Sequence, residues 1–283
     1  MLKLSDVTEW RAYASDLRSK GHTIGLVPTM GALHQGHVSL FREAKLRGDV
    51  VLATVFVNPR QFHDAQDLKL YPRTPEHDLS VALESGVDCL IEPTLEAMWP
   101  DYPEATLTTV SVMGLSDSFE GAGRPGHFDG VASVVAKLFA ITGPSRAYFG
   151  EKDYQQLSII RRMSHDLAFG VEVVGCPIVR DDDGLALSSR NERLSSEGRQ
   201  RALAFSRALA LVAQKGASAS EHRATLRATL DAAAIDVAYA EVVDRLTLVP
   251  SSDDETGERR ALVAGIVEGV RLIDNGPVKI VRR

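Results

Sequence analysis

Five short apolar runs, at 23–27, 50–57, 88–91, 146–149 and 171–179, alternate with stretches of helical spacing, and that alternation leaves few architectures open. The second run reads Val-Val-Leu-Ala-Thr-Val-Phe-Val, apolar on both faces rather than at every second residue. A strand of that kind must be covered from both sides, which a parallel sheet between helical layers provides. Between the runs lie helix signals. Val38, Phe41 and Ala44 share one face of a helix over 38–47. Thr74 is placed to cap a helix, with Pro75 in its first turn and Gly86 as the left-handed residue past its end. Leu157, Ile160, Met163 and Leu167 make one apolar face of a helix over 153–169. Residues 1–178 are therefore expected to form an α/β domain, a Rossmann-like open parallel sheet.

The pattern changes after the segment 179–191. Two Ala-, Leu- and Arg-rich stretches, 195–215 and 218–235, read as helices, the second with Ser218 and Glu221 in capping-box register. Alternating strands follow at 237–243, 246–249, 260–267 and 278–281, with a polar turn over 251–258. This predicts a smaller α+β lid domain over 179–283, joined by a short connection and expected to close on the first.

Composition bounds the partners. A formal net charge of -6 disfavours a broad nucleic-acid footprint while leaving room for a local basic pocket. The first ten residues mix Lys3, Asp6 and Glu9 among apolar ones, which is no signal-peptide core, and the run at 50–57 is far too short to span a bilayer. A cytoplasmic protein without membrane or nucleic-acid partners is expected. Cys89 and Cys176 both lie in apolar runs and are expected to be buried thiols, with no disulfide.

The first strand runs directly into Pro28-Thr-Met-Gly-Ala-Leu-His-Gln-Gly-His37, and a helix follows. Helix N-termini expose unpaired N–H groups and the positive end of the macrodipole, so they bind phosphate. Gly31 and Gly36 are expected to let backbone approach such an anion, and His34 and His37, three residues apart, put both rings on one face to donate to it. The same pair would suit half of a zinc site, but no Cys-x-x-Cys pair or following Glu supplies further ligands. Gly121 to Gly126 matches Gly-x-Gly-x-x-Gly literally; without a preceding strand, and with Pro125 inside it, it is not read as a dinucleotide fingerprint. No Gly-Lys pair occurs, so a lysine phosphate loop is absent and a nucleotide falls to the histidine motif.

Three further segments carry chemistry. Phe56 to Phe62 ends the second run and places Asn58 and Gln61 at the same sheet edge, where neutral amides can fix hydroxyl or carboxylate groups or simply make a turn. Phe149 to Gln156 joins a strand to a helix; Lys152 offers a point charge for phosphate, Asp153 an acceptor for ribose or hydrated magnesium, and Gln156 lies a turn beyond. Val179 to Asn191 carries Ser188, Ser189 and Arg190, suited to a triphosphate, after an acidic run, Asp181 to Asp183, that reads as a solvated turn.

Together the segments Pro28 to His37, Phe56 to Phe62, Tyr71-Pro72-Arg73, Arg124 to Val131, Phe149 to Gln156 and Asp183 to Asn191 closely resemble the pantoate:beta-alanine ligases. The match spans most of the first 191 residues; the remainder supplies no comparable signature, and Arg60 stands where the family's Phe-Val-Asn-Pro-x-Gln-Phe motif usually has an uncharged residue. The resemblance implies ATP-dependent ligation of pantoate and beta-alanine through pantoyl adenylate, with Mg2+ accompanying ATP, in a homodimer. By the same resemblance Met30, Gly31, Ala32, Leu33, His34, Gln35, Gly36 and His37 surround ATP with Gly150, Glu151, Lys152, Asp153, Val179, Leu187, Ser188, Ser189 and Arg190. His37 is implied as proton donor, His34 and Lys152 as further catalytic donors, and Gln61 and Gln156 as the pantoate site, with Gln61 also near beta-alanine. A nucleotidylyltransferase that leaves AMP on its product would use the same histidines, and a non-catalytic nucleotide sensor would share the fold.

Overall fold

The computed structural model describes residues 1–62 and 64–282, which divide into two compact units. The first comprises Met1–Glu151 and Gln155–Pro177; the second takes Lys152–Tyr154 together with the chain from Ile178 onward.

The first unit is built on six parallel strands: β1 (Leu2–Leu4), β2 (Ile24–Thr29), β3 (Val50–Val55), β4 (Cys89–Ile91), β5 (Ser145–Gly150) and β6 (Val171–Cys176). Their helices are α1 (Val7–Ser19), α2 (Gln35–Leu46), α3 (Ala65–Leu70), α4 (Pro75–Glu84), α5 (Leu95–Met98), α6 (Glu120–Gly123), α7 (His127–Thr142) and α8 (Tyr154–Asp166). The spatial order is β1-β4-β3-β2-β5-β6. The chain thus runs outward from β2 through β3 to β4, then returns to lay β5 on the other side of β2, in register at Leu26 and Ala147. At such a reversal the connections leave in opposite directions and open a crevice at the carboxyl edge of the sheet. The decapeptide leaves β2 at that edge, and Gly150-Glu151 leaves β5 beside it.

Burial follows the apolar pattern. α2 turns Leu40, Phe41 and Ala44 inward, where they join Val27, Val51, Ala53, Leu90 and Tyr148 in one core. α1 and α7 pack on each other and on β2. Some expected details differ. Thr74 stands at the N-cap of α4 but makes no side-chain cap, because its hydroxyl is turned to Asp78 instead. α8 ends at Asp166, and Leu167, past its end, is 51% exposed rather than part of the apolar face. The glycine-rich stretch 121–126 contributes to α6 and to the left-handed N-cap of α7 at Gly126, and no strand precedes it. Both cysteines are buried free thiols; burial pushes Cys89 up to about 12 and Cys176 to about 11, so neither is a reactive thiolate.

The second unit packs α9 (Ser196–Ala213) and α10 (Ala219–Ala232) on an antiparallel sheet of β7 (Asp236–Val243), β8 (Gly257–Val267) and β9 (Val270–Ile280), in that order. Phe205, Leu209, Leu226, Leu230, Val263 and Leu272 form its core. The Ser218–Glu221 capping box is present. Residues 246–249 form a turn rather than a strand, since the Asp244 carboxylate accepts the N–H groups of Leu246 and Thr247. β9 begins eight residues before the expected strand at 278. Glu268 and Gly269, both at positive φ, make the tight hairpin that starts it, and Pro277 is tolerated because β9 is an edge strand. Among the described residues no helix is long and apolar enough to cross a membrane.

Candidate active site

The turn after β2 is held by a residue with no counterpart in the sequence reading. Asp78, in the first turn of α4 and only 2% exposed, accepts the N–H of Ala32 at 3.1 Å and of Leu33 at 2.7 Å. The Thr74 hydroxyl donates to the same carboxylate at 3.1 Å, and His77 Nε2 meets the Leu33 carbonyl at 3.0 Å. The turn needs this fastening: Ala32 has φ of 50° and Gly31 of 82°, conformations an L side chain adopts at a cost. A Cβ on Gly31 would stand 2.8 Å from Asp78 Oδ2. Gly31 is therefore glycine to admit a buried carboxylate and a left-handed turn. The anion on these backbone donors belongs to the protein itself.

His34 follows as the N-cap of α2. Its Nδ1 accepts the Gly36 N–H at 3.0 Å, while His37 Nδ1 accepts the His34 N–H at 3.2 Å. A ring nitrogen that accepts a backbone N–H carries no proton, so in both neutral rings these bonds assign the N–H to Nε2. The rings stack at 4.2 Å between centroids, tilted by 48°. Gly36 makes room for this, since a Cβ there would lie 2.7 Å from His34 Cε1. The first turn of α2 has no acidic residue, so its positive end is uncompensated from within the helix. Two oriented N–H donors at such an end suit an anionic ligand.

Asn58 and Gln61 divide into a strut and a candidate ligand. Asn58, 1% exposed, donates to Gln61 Oε1 at 3.1 Å and to the Gly130 carbonyl at 3.0 Å, and its Oδ1 accepts from Trp99 Nε1 at 3.0 Å. Its amide ties the one-turn helix Pro59–Gln61 to α7 and Trp99. Gln61 Nε2 reaches Met30 Sδ at 3.0 Å, so it lies against the nucleotide motif. His127 Nδ1 donates to the Gln61 carbonyl at 2.7 Å while its Nε2 faces Arg124 at 3.1 Å. Gly130 lets α7 press on this turn, because a Cβ would come within 2.2 Å of the Arg60 carbonyl. The unusual Arg60 side chain stacks on Trp99 and Tyr102 and donates to the Glu104 carbonyl, leaving the flanking amides in place. On α8, Gln155 is spent on structure, bonded to Leu115, Ser118 and Glu120 backbone, whereas its neighbour Gln156 is partly exposed.

In the second unit Lys152 sits in the single-turn helix Glu151–Asp153, its side chain 19% exposed and its Nζ 3.9 Å from Asp153 Oδ1. Val179 and Leu187 are joined by a 3.0 Å backbone bond across a short hairpin. Ser188 caps the helical turn Ser189–Arg193, its Oγ accepting the Arg190 N–H at 3.3 Å, and Ser189 and Arg190 are partly exposed. The acidic run is the exposed turn expected at Asp182 and Asp183, and Arg199 pins it by binding both Asp181 and Asp183. That hydrogen-bonded guanidinium holds Asp183 below the usual carboxylate range. Among the described residues no group of three or more His, Cys, Asp or Glu side chains is placed to hold a metal ion.

Comparison with known proteins places the chain in a family. The Pantoate-beta-alanine ligase family matches residues 3–277. A pantothenate synthetase of Cereibacter sphaeroides is 50% identical over 279 residues, covering 97% of this chain and 99% of that protein. One from Anaeromyxobacter dehalogenans is 47% identical over 283 residues, covering 96% and 97%. Among solved structures, pantothenate synthetase from Thermus thermophilus superposes with a TM-score of 0.88 at 47% identity, covering 98% of this chain and 99% of its own. Pantoate-beta-alanine ligase from Francisella tularensis, complexed with beta-gamma ATP and beta-alanine, gives 0.79 at 32% identity, covering 98% and 97%.

Proposed function

The chain belongs to the pantoate-beta-alanine ligase family, and on that basis we propose that it joins pantoate to beta-alanine in two ATP-dependent steps. First a pantoate carboxylate oxygen attacks the α-phosphorus of ATP, the bond from that phosphorus to the bridging oxygen breaks, and pyrophosphate leaves. The amine of beta-alanine then attacks the acyl carbon of pantoyl adenylate, AMP departs with the electron pair of the broken carbon–oxygen bond, and the nitrogen loses a proton as the amide forms. The observation that carries this reading is the His34–His37 pair, whose Nδ1 atoms are fixed by backbone N–H groups so that two Nε2–H donors stand at the positive end of α2.

Negative charge grows on phosphate oxygens in the first step, and preorganised donors are worth most where charge develops. His37 serves as proton donor and His34 as its companion; Lys152 adds a point charge. Met30 to His37, Gly150 to Asp153, Val179 and Leu187 to Arg190 contact ATP, and Gln61 and Gln156 hold pantoate. Magnesium would accompany ATP and offset phosphate charge, with Asp153 the acceptor suited to hold its hydrated form. ATP as substrate and two buried thiols fit a cytoplasmic enzyme.

The test is stepwise product release. Pyrophosphate should appear from ATP only when pantoate is present, and AMP only when beta-alanine is added. An AMP moiety retained in the final product would instead make this a nucleotidylyltransferase.

Two variants separate the roles. Gln61→Ala should raise the KM for pantoate roughly tenfold or more, as loss of a hydrogen bond to a charged group does, with the KM for ATP nearly unchanged. A rise in the ATP value alone would remove Gln61 from the acid pocket. Lys152→Ala should lower the maximal adenylation rate more than it weakens ATP binding, because only differential binding to the transition state speeds the chemistry. If weaker ATP affinity accounts for the whole loss, Lys152 is a binding residue only. The homodimer implied by the family predicts a dimeric sedimentation coefficient at micromolar concentration, and a fully active monomer would contradict it.

A further inference from the structure

Lys152 has a long flexible stem, and Asp153 at 3.9 Å is too distant to fix its ammonium. The position of its backbone therefore matters, and the second unit holds that backbone directly. Asn275, in β9 and 3% exposed, donates from Nδ2 to the Lys152 carbonyl at 2.9 Å. Its Oδ1 accepts from Arg260 Nε at 2.7 Å, so both ends of the amide have a committed partner and the group has one orientation. The Arg260 guanidinium in turn lies 4.4 Å from the centroid of the Tyr154 ring, two residues beyond Lys152. The Tyr154 hydroxyl donates to the Arg245 carbonyl at 3.0 Å. Behind Asn275 its neighbour Asp274 is locked by a two-pronged bond from Arg180, at 2.7 and 3.0 Å, and accepts the Asn275 N–H at 2.8 Å.

A buried amide bridging an arginine and a main-chain carbonyl across 123 residues of sequence is a costly arrangement to keep for packing alone. An apolar side chain on β9 would fill the space but would take these bonds from the Arg260 Nε and the Lys152 carbonyl, so the amide is what joins the two. We propose that Asn275, oriented by Arg260, is a positioning residue that fixes the Lys152 backbone so that its ammonium meets the phosphate charge formed during adenylation. This rests on the reading of Lys152 as a phosphate-binding catalytic group. It gives the second unit, which lacks any recognisable catalytic motif of its own beyond 191, a part in the first chemical step.

Two variants of the full-length chain isolate the bond. Asn275→Asp keeps the volume and the acceptor for Arg260 but removes the donor to Lys152; Asn275→Ser removes both bonds and introduces no charge. Misplacing a reacting group by about 1 Å costs on the order of 100-fold. Each variant should therefore slow single-turnover pantoyl-adenylate formation at saturating ATP by about 10- to 100-fold, with an unfolding transition still cooperative. The decisive comparison is the Lys152→Ala background. If Asn275 acts through Lys152, adding either substitution to Lys152→Ala produces no further slowing. Losses that multiply, rates unchanged from the parent chain, or slowing by Asn275→Asp alone would overturn the proposal, the last because it would trace the effect to the new charge. A Lys152→Ala variant as fast as the parent would instead overturn the underlying reading of Lys152.

Discussion

Replacing His37 with alanine is expected to slow single-turnover formation of pantoyl adenylate by roughly 100- to 1,000-fold, the usual loss when one preorganised donor to a developing oxyanion is removed. His37 also does a structural job, since its Nδ1 accepts the N–H of His34 at the start of α2. Losing such a cap costs about 1 kcal/mol, too little to unfold the chain. The two roles sit on different ring nitrogens and can be separated. In His37→Asn the amide oxygen can take over from Nδ1, restoring the cap while leaving nothing at the position of Nε2. Stability should then recover and activity should not. His34→Ala is expected to behave like His37→Ala, with the Gly36 N–H as the group left uncapped. Adenylation by His37→Asn at the parental rate would take the donor role away from this ring.

Asp78→Ala should give the largest loss of stability of any single change near the site. It strands the N–H groups of Ala32 and Leu33 in a part-buried turn, at about 1 to 3 kcal/mol for each group left unsatisfied. It also frees a segment whose positive φ values at Gly31 and Ala32 persist only while something over-determines them. A loss of about 2 to 5 kcal/mol in denaturant unfolding is expected, together with reduced adenylation as the histidines lose their fixed approach. Asp78→Asn keeps one acceptor oxygen and should fall between the two. An Asp78→Ala chain of parental stability would show that the turn is held by other means.

These two residues show what the sequence made legible. His34 and His37 stand out because they lie three positions apart at the start of a helix that follows an apolar strand, and the parallel sheet itself is written in runs such as Val50–Val55 that are apolar on both faces. Asp78 gave no such signal. An acidic residue in the first turn of a helix is expected for the macrodipole alone, and its true partner lies 45 residues away in sequence, at Leu33. Asn275 was hidden for a related reason. Asp274, Asn275, Gly276 and Pro277 look like a turn, yet they lie within β9 because the adjoining β8 supplies a complete ladder of partners and the edge position tolerates proline. Pattern reads local geometry well. It does not read which polar group crosses from one element to satisfy another.

The same limit explains Asn58 and Gln61. Spacing placed both at the sheet edge but could not divide them, whereas hydrogen bonding does: Asn58 spends its amide on Gly130, Gln61 and Trp99. Gly36 is the converse case, a residue whose place in the motif was plain and whose reason was not. It makes room for the His34 ring.

The central claim is that the pantoate carboxylate itself attacks the α-phosphorus of ATP. It is tested most directly by supplying pantoate labelled with 18O in both carboxylate oxygens, together with ATP and beta-alanine, and weighing the products. An adenylate intermediate requires one labelled oxygen to leave on AMP and the other to remain in the amide carbonyl. No AMP, with ADP formed instead and the heavy oxygen recovered in inorganic phosphate, would mean attack at the γ-phosphorus and would contradict the account.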